Sequence, residues 1–267
     1  MVSKYSGLER WFKEHSKVMV ALSGGVDSCL VAYVARKVLG KKNAISVIGD
    51  SPSLKRRDLD TAIKFCNDND IQYILIHPGE INDPNYRHNP VDRCYWCKSS
   101  LYKDMIRVRN ENYREYILVN GNNKSDWSDY RPGLKAADQF EALSPLADCG
   151  FLKEDIRNLA KQFNLEIWDK PASPCLSSRF PYGELITVDK LKQVEDAETI
   201  LADNGFFDAR VRFFGDKAKV EVPVLQINQL KNKISIIREQ FHELGFVETE
   251  IDEEGLVSGK LNRGVVN

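Results

Sequence analysis

The chain has no apolar stretch approaching the roughly 20 residues of a membrane-spanning helix. Its first segment, Met1 to Lys17, mixes charges with Leu8, Trp11 and Phe12 and carries no apolar core of a secretion signal. A cytoplasmic protein without a membrane partner is expected. An excess of one charge is also missing. Lys and Arg number 38 against 39 Asp and Glu, a net of −1, so no global field recruits nucleic acid or an anionic surface, and only a local basic patch could do so. Internal repeats and low-complexity segments are absent. Cysteine is sparse, with six in 267 residues, and without a leader a disulfide framework is not expected. The 42% of hydrophobic residues suffices for the core of one large or two modest domains.

Directly behind the apolar run Val18-Met19-Val20-Ala21-Leu22 stands Ser23-Gly24-Gly25-Val26-Asp27-Ser28. The run reads as a strand. The spacing of Cys29, Leu30, Val31, Tyr33, Val34, Val38 and Leu39 reads as a helix leaving the turn. A strand, a phosphate-sized loop and a helix N-terminus thus share one stretch, where backbone N–H groups and the helix dipole favour an anion. The glycines let phosphate oxygens approach the main chain, and Ser23 and Ser28 add hydroxyl donors. Asp27 is a carboxylate beside a phosphate site, an arrangement that makes sense if Mg2+ lies between them. The plain alternative is a Gly/Ser turn joining a strand to a helix. The loop lacks the Gly-Lys-Ser/Thr ending of a Walker A loop and is not a dinucleotide-binding fingerprint.

Further strands are expected at 44–48, 71–76 and 116–119, with a short extended piece at 143–146. Helices are expected at 54–67, 99–109 and 153–163. Strands alternating with helices at this spacing imply an α/β fold with a doubly wound parallel sheet, whose ligands bind at the carboxyl ends of strands. The opening loop and the turn Asn120-Gly121-Asn122-Asn123 both fall there. The pattern then changes. A helix over 188–204, a hairpin of 208–214 and 217–222 around Gly215-Asp216, a helix over 225–244 and a strand over 246–251 read as a small α+β domain of order α-β-β-α-β. The proline-broken linker 169–175 sets the expected domains at 1–172 and 173–267.

Cys29 and Cys66 sit in helical patterns, and Cys149 lies in a loop. Cys94-Tyr95-Trp96-Cys97 is a C-x-x-C that fits a redox pair, a zinc half-site or an iron–sulfur half-site. It stands at the start of a helix, where thiolates are favoured. No second C-x-x-C supports a four-cysteine zinc site, although His88 could complete one of three cysteines and a histidine. Cys175 is the remaining candidate ligand. Trp96, between the paired cysteines, would shield a bound group from water or simply pack.

The Ser-Gly-Gly-x-Asp-Ser loop resembles that of the PP-loop ATP pyrophosphatases, of the adenine nucleotide alpha hydrolase-like fold. Asn120-Gly121-Asn122 with Asp126, then Asp129-Tyr130-Arg131-Pro132-Gly133, then Ser177-Ser178-Arg179-Phe180-Pro181-Tyr182-Gly183, and Ala209-Arg210-Val211-Arg212-Phe213 narrow the likeness. Over nearly its whole length the chain is similar to the LarE family, ATP-dependent sulfur transferases of nickel-pincer nucleotide cofactor biosynthesis. That resemblance implies adenylylation of a carboxylate of pyridinium-biscarboxylic acid mononucleotide, release of pyrophosphate, and replacement of AMP by sulfur to give a thiocarboxylate. It implies ATP held by Ser23, Gly24, Gly25, Asp27 and Ser28, with Gly121, Asn122 and Asp126 lining the nucleotide or metal.

Within the family, sulfur comes either from a sacrificial cysteine before the Ser-Ser-Arg-Phe-Pro-Tyr-Gly segment or from a three-cysteine cluster. Here Pro174 aligns with the sacrificial position and Cys175 lies one residue later. With the C-x-x-C, this favours a [4Fe-4S] cluster on Cys94, Cys97 and Cys175, whose fourth iron would take sulfide from a donor partner. Arg210 and Arg212, two apart on a strand, face one side. Ser178 and Arg179 join them as candidates for the substrate's phosphate or carboxylate. Asp27, Cys175 and Arg179 are the expected catalytic residues. Arg131 is a candidate for a carboxylate or phosphate. Glu198 and Glu221 are candidates for substrate or metal, or for pairing with those arginines. A homo-oligomer is compatible with the sequence. The competing functions are tRNA thiolation, which needs an electropositive surface, amidation of the NAD or GMP synthetase type, and a non-enzymatic metal-binding module.

Overall fold

The computed structural model describes residues 2–128, 132–257, 259–260 and 263. Two units emerge, Met1–Glu80 with Asp92–Ser173 and Ile81–Val91 with Pro174–Asn267. Among the described residues no helix is long and apolar enough to cross a membrane.

In the first unit α1 (Val2–His15) precedes β1 (Val18–Ala21), α2 (Val26–Leu39), β2 (Ala44–Gly49), α3 (Arg56–Asp68) and β3 (Gln72–Ile76). A short helix, α4 (Pro84–Arg87), belongs to the second unit. The chain re-enters the first through α5 (Arg93–Asn112), β4 (Ile117–Val119), α6 (Pro132–Gln139), α7 (Pro145–Asp148) and α8 (Lys153–Gln162). The four strands pair in parallel in the order β3-β2-β1-β4. In β1 and β2 consecutive residues are buried, because helices cover both faces and a parallel strand so placed must be apolar throughout. One face packs Val18, Val20 and Ile48 against Leu30, Phe65 and Ile156. The other packs Met19, Ile45 and Val47 against Tyr102 and Met105. With β2 on one side of β1 and β4 on the other, the carboxyl end of β1 is the topological switch point.

The doubly wound sheet is as expected, with two local differences. At 143–146 only Leu143 is extended, in a single bridge to Val119. Pro145 then opens α7, since proline's fixed φ suits a first helical turn. The helix expected from Ser99 starts at Arg93, so both cysteines of the C-x-x-C lie inside it.

The second unit carries α9 (Val188–Asp203), β5 (Arg210–Phe214), β6 (Lys217–Glu221), α10 (Ile227–Glu243) and β7 (Glu248–Ile251). Thr187 caps α9, accepting from the Lys190 amide at 3.2 Å. β5 and β6 form an antiparallel hairpin and β6 pairs in parallel with β7, giving the order β5-β6-β7. Alternation places Val211, Phe213, Ala218 and Val220 on a buried face and Arg210, Arg212, Lys219 and Glu221 on the other. Ile81–Val91 joins this unit through hydrogen bonds from Asn89 Nδ2 to the Pro181 carbonyl (2.6 Å), from the Gly183 amide to the Asn89 carbonyl (3.0 Å) and from the Ile186 amide to the Arg87 carbonyl (2.9 Å).

Glu80, at the end of the first unit's opening segment, is 1% exposed. Its Oε1 accepts from Ser53 Oγ at 3.3 Å, and Oε2 has no partner among the described residues. Burial pushes this carboxyl above its ordinary value. A raised folded-state value means that protonation favours the fold. The contribution is complete below the unfolded carboxyl's range and is lost as pH rises through the folded value. Glu80→Gln should therefore raise the melting temperature by about 3 °C at pH 8 and leave it unchanged near pH 4. Melting curves of the two proteins at both pH values check this, and an equal shift at both would sink it.

Candidate active site

The loop after β1 is held from three directions. Gly24 has φ +73°, and a Cβ there would stand 3.0 Å from the Asp58 carbonyl oxygen on α3. Gly25 is the extended N-cap of α2 and offers no side-chain cap, so the first amides of that helix retain donor capacity toward an anion. Ser28 Oγ donates to the Gly25 carbonyl at 3.1 Å and lies 3.1 Å from Ser23 Oγ. A Cβ on Gly121, after β4, would stand 2.6 Å from the Ser28 amide nitrogen. Only glycine permits the β4 turn to close on the start of α2.

Around this loop the structure gathers the residues expected there. Asp27, in the first turn of α2, accepts from Asn123 Nδ2 at 3.3 Å on Oδ1 and from Lys153 Nζ at 2.5 Å on Oδ2. Asp126 Oδ2 accepts from the Asn123 amide at 3.0 Å, and the Asn122 amide donates to Asn120 Oδ1 at 2.9 Å. Two lysines were missed by sequence reasoning. Lys153 opens α8. Lys170 donates to the Gly24 carbonyl and pairs with Asp58, both at 3.0 Å. The available signal was position, since Lys153 heads a helix at the carboxyl end of a parallel sheet. Asp27 and Asp126 are hard oxygen donors, and Mg2+ typically takes one or two carboxylates together with phosphate oxygens. The donor set fits that ion.

Cys94 is exposed and Cys97 half-buried in the opening turns of α5. Three residues apart, they share one helix face. Soft thiolates at a helix N-terminus suit iron–sulfur ligation. Cys175, half-buried, belongs to the second unit and N-caps the short turn Leu176–Arg179. The other cysteines are poor ligands. Burial pushes Cys29 well up, Cys66 to about 12 and Cys149 to about 11, so all three remain thiols at neutral pH. Among the described residues no group of three or more His, Cys, Asp or Glu is gathered as a metal site. His88 lies in the second unit with Nδ1 2.6 Å from the Pro84 carbonyl oxygen. Trp96 packs edge-on against Tyr95.

In the second unit the arginines divide into two kinds. Arg179, 1% exposed, donates from Nε to Glu198 Oε1 (2.7 Å) and from Nη2 to Oε2 (3.1 Å). Its Nη1 reaches the Pro174 carbonyl (3.0 Å), the Cys175 carbonyl (3.3 Å) and Ser178 Oγ (2.8 Å). Arg212 forks onto Glu221 with two bonds of 2.9 Å and donates to the Ser178 carbonyl at 2.7 Å. Both guanidiniums are therefore committed within the protein. Arg210 is the half-buried one. Burial, and after it the charges of Arg179 and Arg212, hold its guanidinium below the ordinary value. An anion placed there would relieve that repulsion. Arg131, with Asp129 and Tyr130, lies outside the described residues.

A parallel sheet whose β1–α2 loop is Ser-Gly-Gly-Val-Asp-Ser, with a carboxylate in the first helical turn, defines a PP-loop nucleotide-binding domain of the ATP-pyrophosphatase type. The NAD synthase family model matches residues 9–92. An uncharacterized protein of Synechocystis is 41% identical over 98% of this chain and 97% of its own. The pyridinium-3,5-bisthiocarboxylic acid mononucleotide synthase of Lactiplantibacillus plantarum is 34% identical over 98% of this chain and 95% of its own. An uncharacterized protein of Methanocaldococcus jannaschii is 27% identical over 95% of this chain and 96% of its own. The chain belongs to the LarE family.

Proposed function

We propose that this protein is an ATP-dependent sulfur transferase acting on a carboxylate of pyridinium-biscarboxylic acid mononucleotide. The observation that carries the reading is the loop at Ser23–Ser28, with Asp27 and Lys153 flanking its helix N-terminus, in a chain collinear with a relative named for the bisthiocarboxylic product. A carboxylate resists attack by sulfide because oxide would have to leave. Its oxygen first attacks the α-phosphorus of ATP, the bond to the β-phosphate oxygen breaks, and pyrophosphate departs. Sulfide then adds to the acyl carbon, the carbon–oxygen bond to AMP breaks, and a thiocarboxylate remains.

Ser23, Gly24, Gly25 and Ser28 bind the pyrophosphate end through amides and hydroxyls. Asp27 and Asp126 would hold Mg2+, which neutralises phosphate charge when bound. Lys153 exchanges Asp27 for the departing pyrophosphate. Gly121 and Asn122 wall the nucleotide. In the second unit Arg210 receives the substrate phosphate, while Arg179 with Glu198, Arg212 with Glu221, and Ser178 fix the segment bearing Cys175. Cys94, Cys97 and Cys175 would be the ligands of a [4Fe-4S] cluster, which would supply sulfide when bound. In this reading the ATP-cleaving domain expected at 1–172 is carried by Met1–Glu80 with Asp92–Ser173, and the substrate domain expected at 173–267 by Pro174–Asn267 with Ile81–Val91.

The test is anaerobic reconstitution with iron and sulfide assay, alongside measurement of pyrophosphate and thiocarboxylate. Cys175→Ala should take up less than a full cluster and release pyrophosphate without forming thiocarboxylate. A full cluster together with normal product in that variant would overturn the assignment of Cys175.

A further inference from the structure

The chain's last described segment returns to the charged face of the second unit's sheet. Beyond β7 the Asp252 amide donates to the Val220 carbonyl at 2.8 Å, and the Leu256 amide donates to the Val222 carbonyl at 2.9 Å. This strap brings Lys260 back onto the sheet. Lys260 Nζ donates to Asp252 Oδ2 at 2.8 Å and to the Gly255 carbonyl at 2.9 Å. It also stands 3.5 Å from Glu254 Oε2, which is largely exposed, and 3.6 Å from the buried Glu221 Oε1. The ammonium group is well shielded, with a side-chain exposure of 14%, and Glu221 beside it has 1%.

Glu221 thus meets two cations, the Arg212 fork and Lys260, the latter nearest the oxygen that also accepts from Arg212 Nε. On the neighbouring strand Arg210 lies directly opposite Glu221 in the hairpin register. Neighbouring charges in a half-buried place act on one another much more strongly than in water. A Glu221 carboxylate neutralised by Arg212 alone would still spread negative potential toward Arg210. With Lys260 beside it, that potential is offset, and the net field at Arg210 is more attractive to an anion.

We infer that Lys260 is a positioning residue for substrate. From the strap it offsets the Glu221 carboxylate and so raises the affinity of the Arg210 face for the phosphate of the mononucleotide. This rests on the reading that Arg210 receives that phosphate. A strap that merely braces the sheet makes a different prediction. Removing either end of the Lys260–Asp252 pair would then weaken binding alike, whereas an electrostatic role makes the two changes act in opposite directions.

The experiment is equilibrium binding of pyridinium-biscarboxylic acid mononucleotide to the full-length protein, without ATP, at low and high salt. Lys260→Met, which keeps the apolar stem, should weaken binding roughly fivefold at low salt and less at high salt. Lys260→Arg should restore it. Asp252→Asn, which removes a negative charge and leaves Lys260 in place, should tighten binding about twofold. Unchanged affinity in Lys260→Met, or weakening by Asp252→Asn, overturns the inference. If Lys260→Met does not fold, the sign of the Asp252→Asn effect still decides. Arg210→Gln separates the two levels. Weakened binding there with no effect from Lys260 rejects Lys260 alone, and no effect from Arg210→Gln rejects the phosphate reading as well.

Discussion

Asp27→Ala should lower the rate of pyrophosphate release from ATP by roughly 10²- to 10³-fold, the range seen when one preorganised electrostatic group is removed from a transition state. Asp27 is placed for this by sequence and fold together. It follows the two glycines with only Val26 between, so it falls in the first turn of α2, where the helix dipole favours a carboxylate. Its two oxygens face different partners, Asn123 at 3.3 Å and Lys153 at 2.5 Å. Asn123 orients the carboxylate from the turn after β4. Lys153 supplies a counter-charge that is 42% exposed and can therefore move onto pyrophosphate as it departs.

The alanine variant loses a cation ligand and the restraint on Lys153 together. Asp27→Asn separates the two. It keeps the shape and a hydrogen-bonding oxygen but not the charge, and it should be nearly as inactive if cation binding is the main role. Because Asp27 is on the rim of the loop, neither change should lower the melting temperature by more than about 3 °C. A coupled pyrophosphate assay with the mononucleotide present reads the rate. Normal pyrophosphate release by Asp27→Ala would remove it from the mechanism.

Much of this site was legible because its determinants are local. The strand, the two glycines and the helix of the opening loop are contiguous, and their periodicities switch within a few residues. Arg210 and Arg212 were legible as one face because strand alternation is strict. Lys153 was not, because its partner Asp27 lies 126 residues away and a lysine at a helix start looks like any solvated one. The transfer of Ile81–Val91 to the second unit was equally hidden. It depends on Asn89, whose side chain meets the Pro181 carbonyl 92 residues on. The early start of α5 escaped notice for another reason. Its buried positions are Arg93, Ser99, Tyr102 and Met105, and with a charged residue as the first of them and Cys94 exposed, the opening turn carries no apolar periodicity to read. The pairing of Arg179 with Glu198 was legible only as one of two alternatives for Glu198, and the fold decides it, since a turn, a helix and the edge of β5 meet there.

That pairing carries the largest expected stability effect. Glu198→Ala should destabilise the protein by about 3–5 kcal/mol, the usual result of stranding one partner of a buried ion pair. Both side chains are shielded, at 1% and 8% exposure, so solvent cannot take over the vacated role. Glu198 Oε1 also accepts from the Val211 amide at 3.1 Å, and its loss leaves that edge-strand donor unsatisfied. Urea unfolding of wild type and variant reads the difference, and a change under about 1 kcal/mol would refute it. The double variant Arg179→Met with Glu198→Met should recover most of the loss, because a paired apolar replacement leaves no charge uncompensated. It should not recover the second role of Arg179. The guanidinium holds the Pro174 and Cys175 carbonyls and Ser178 Oγ, and methionine offers none of those donors. Alkylation of Cys175, followed by mass spectrometry, should thus be roughly tenfold faster in the double variant than in wild type, since local opening of the loop then costs less. Restored stability with slow alkylation would mean that the ion pair serves folding alone.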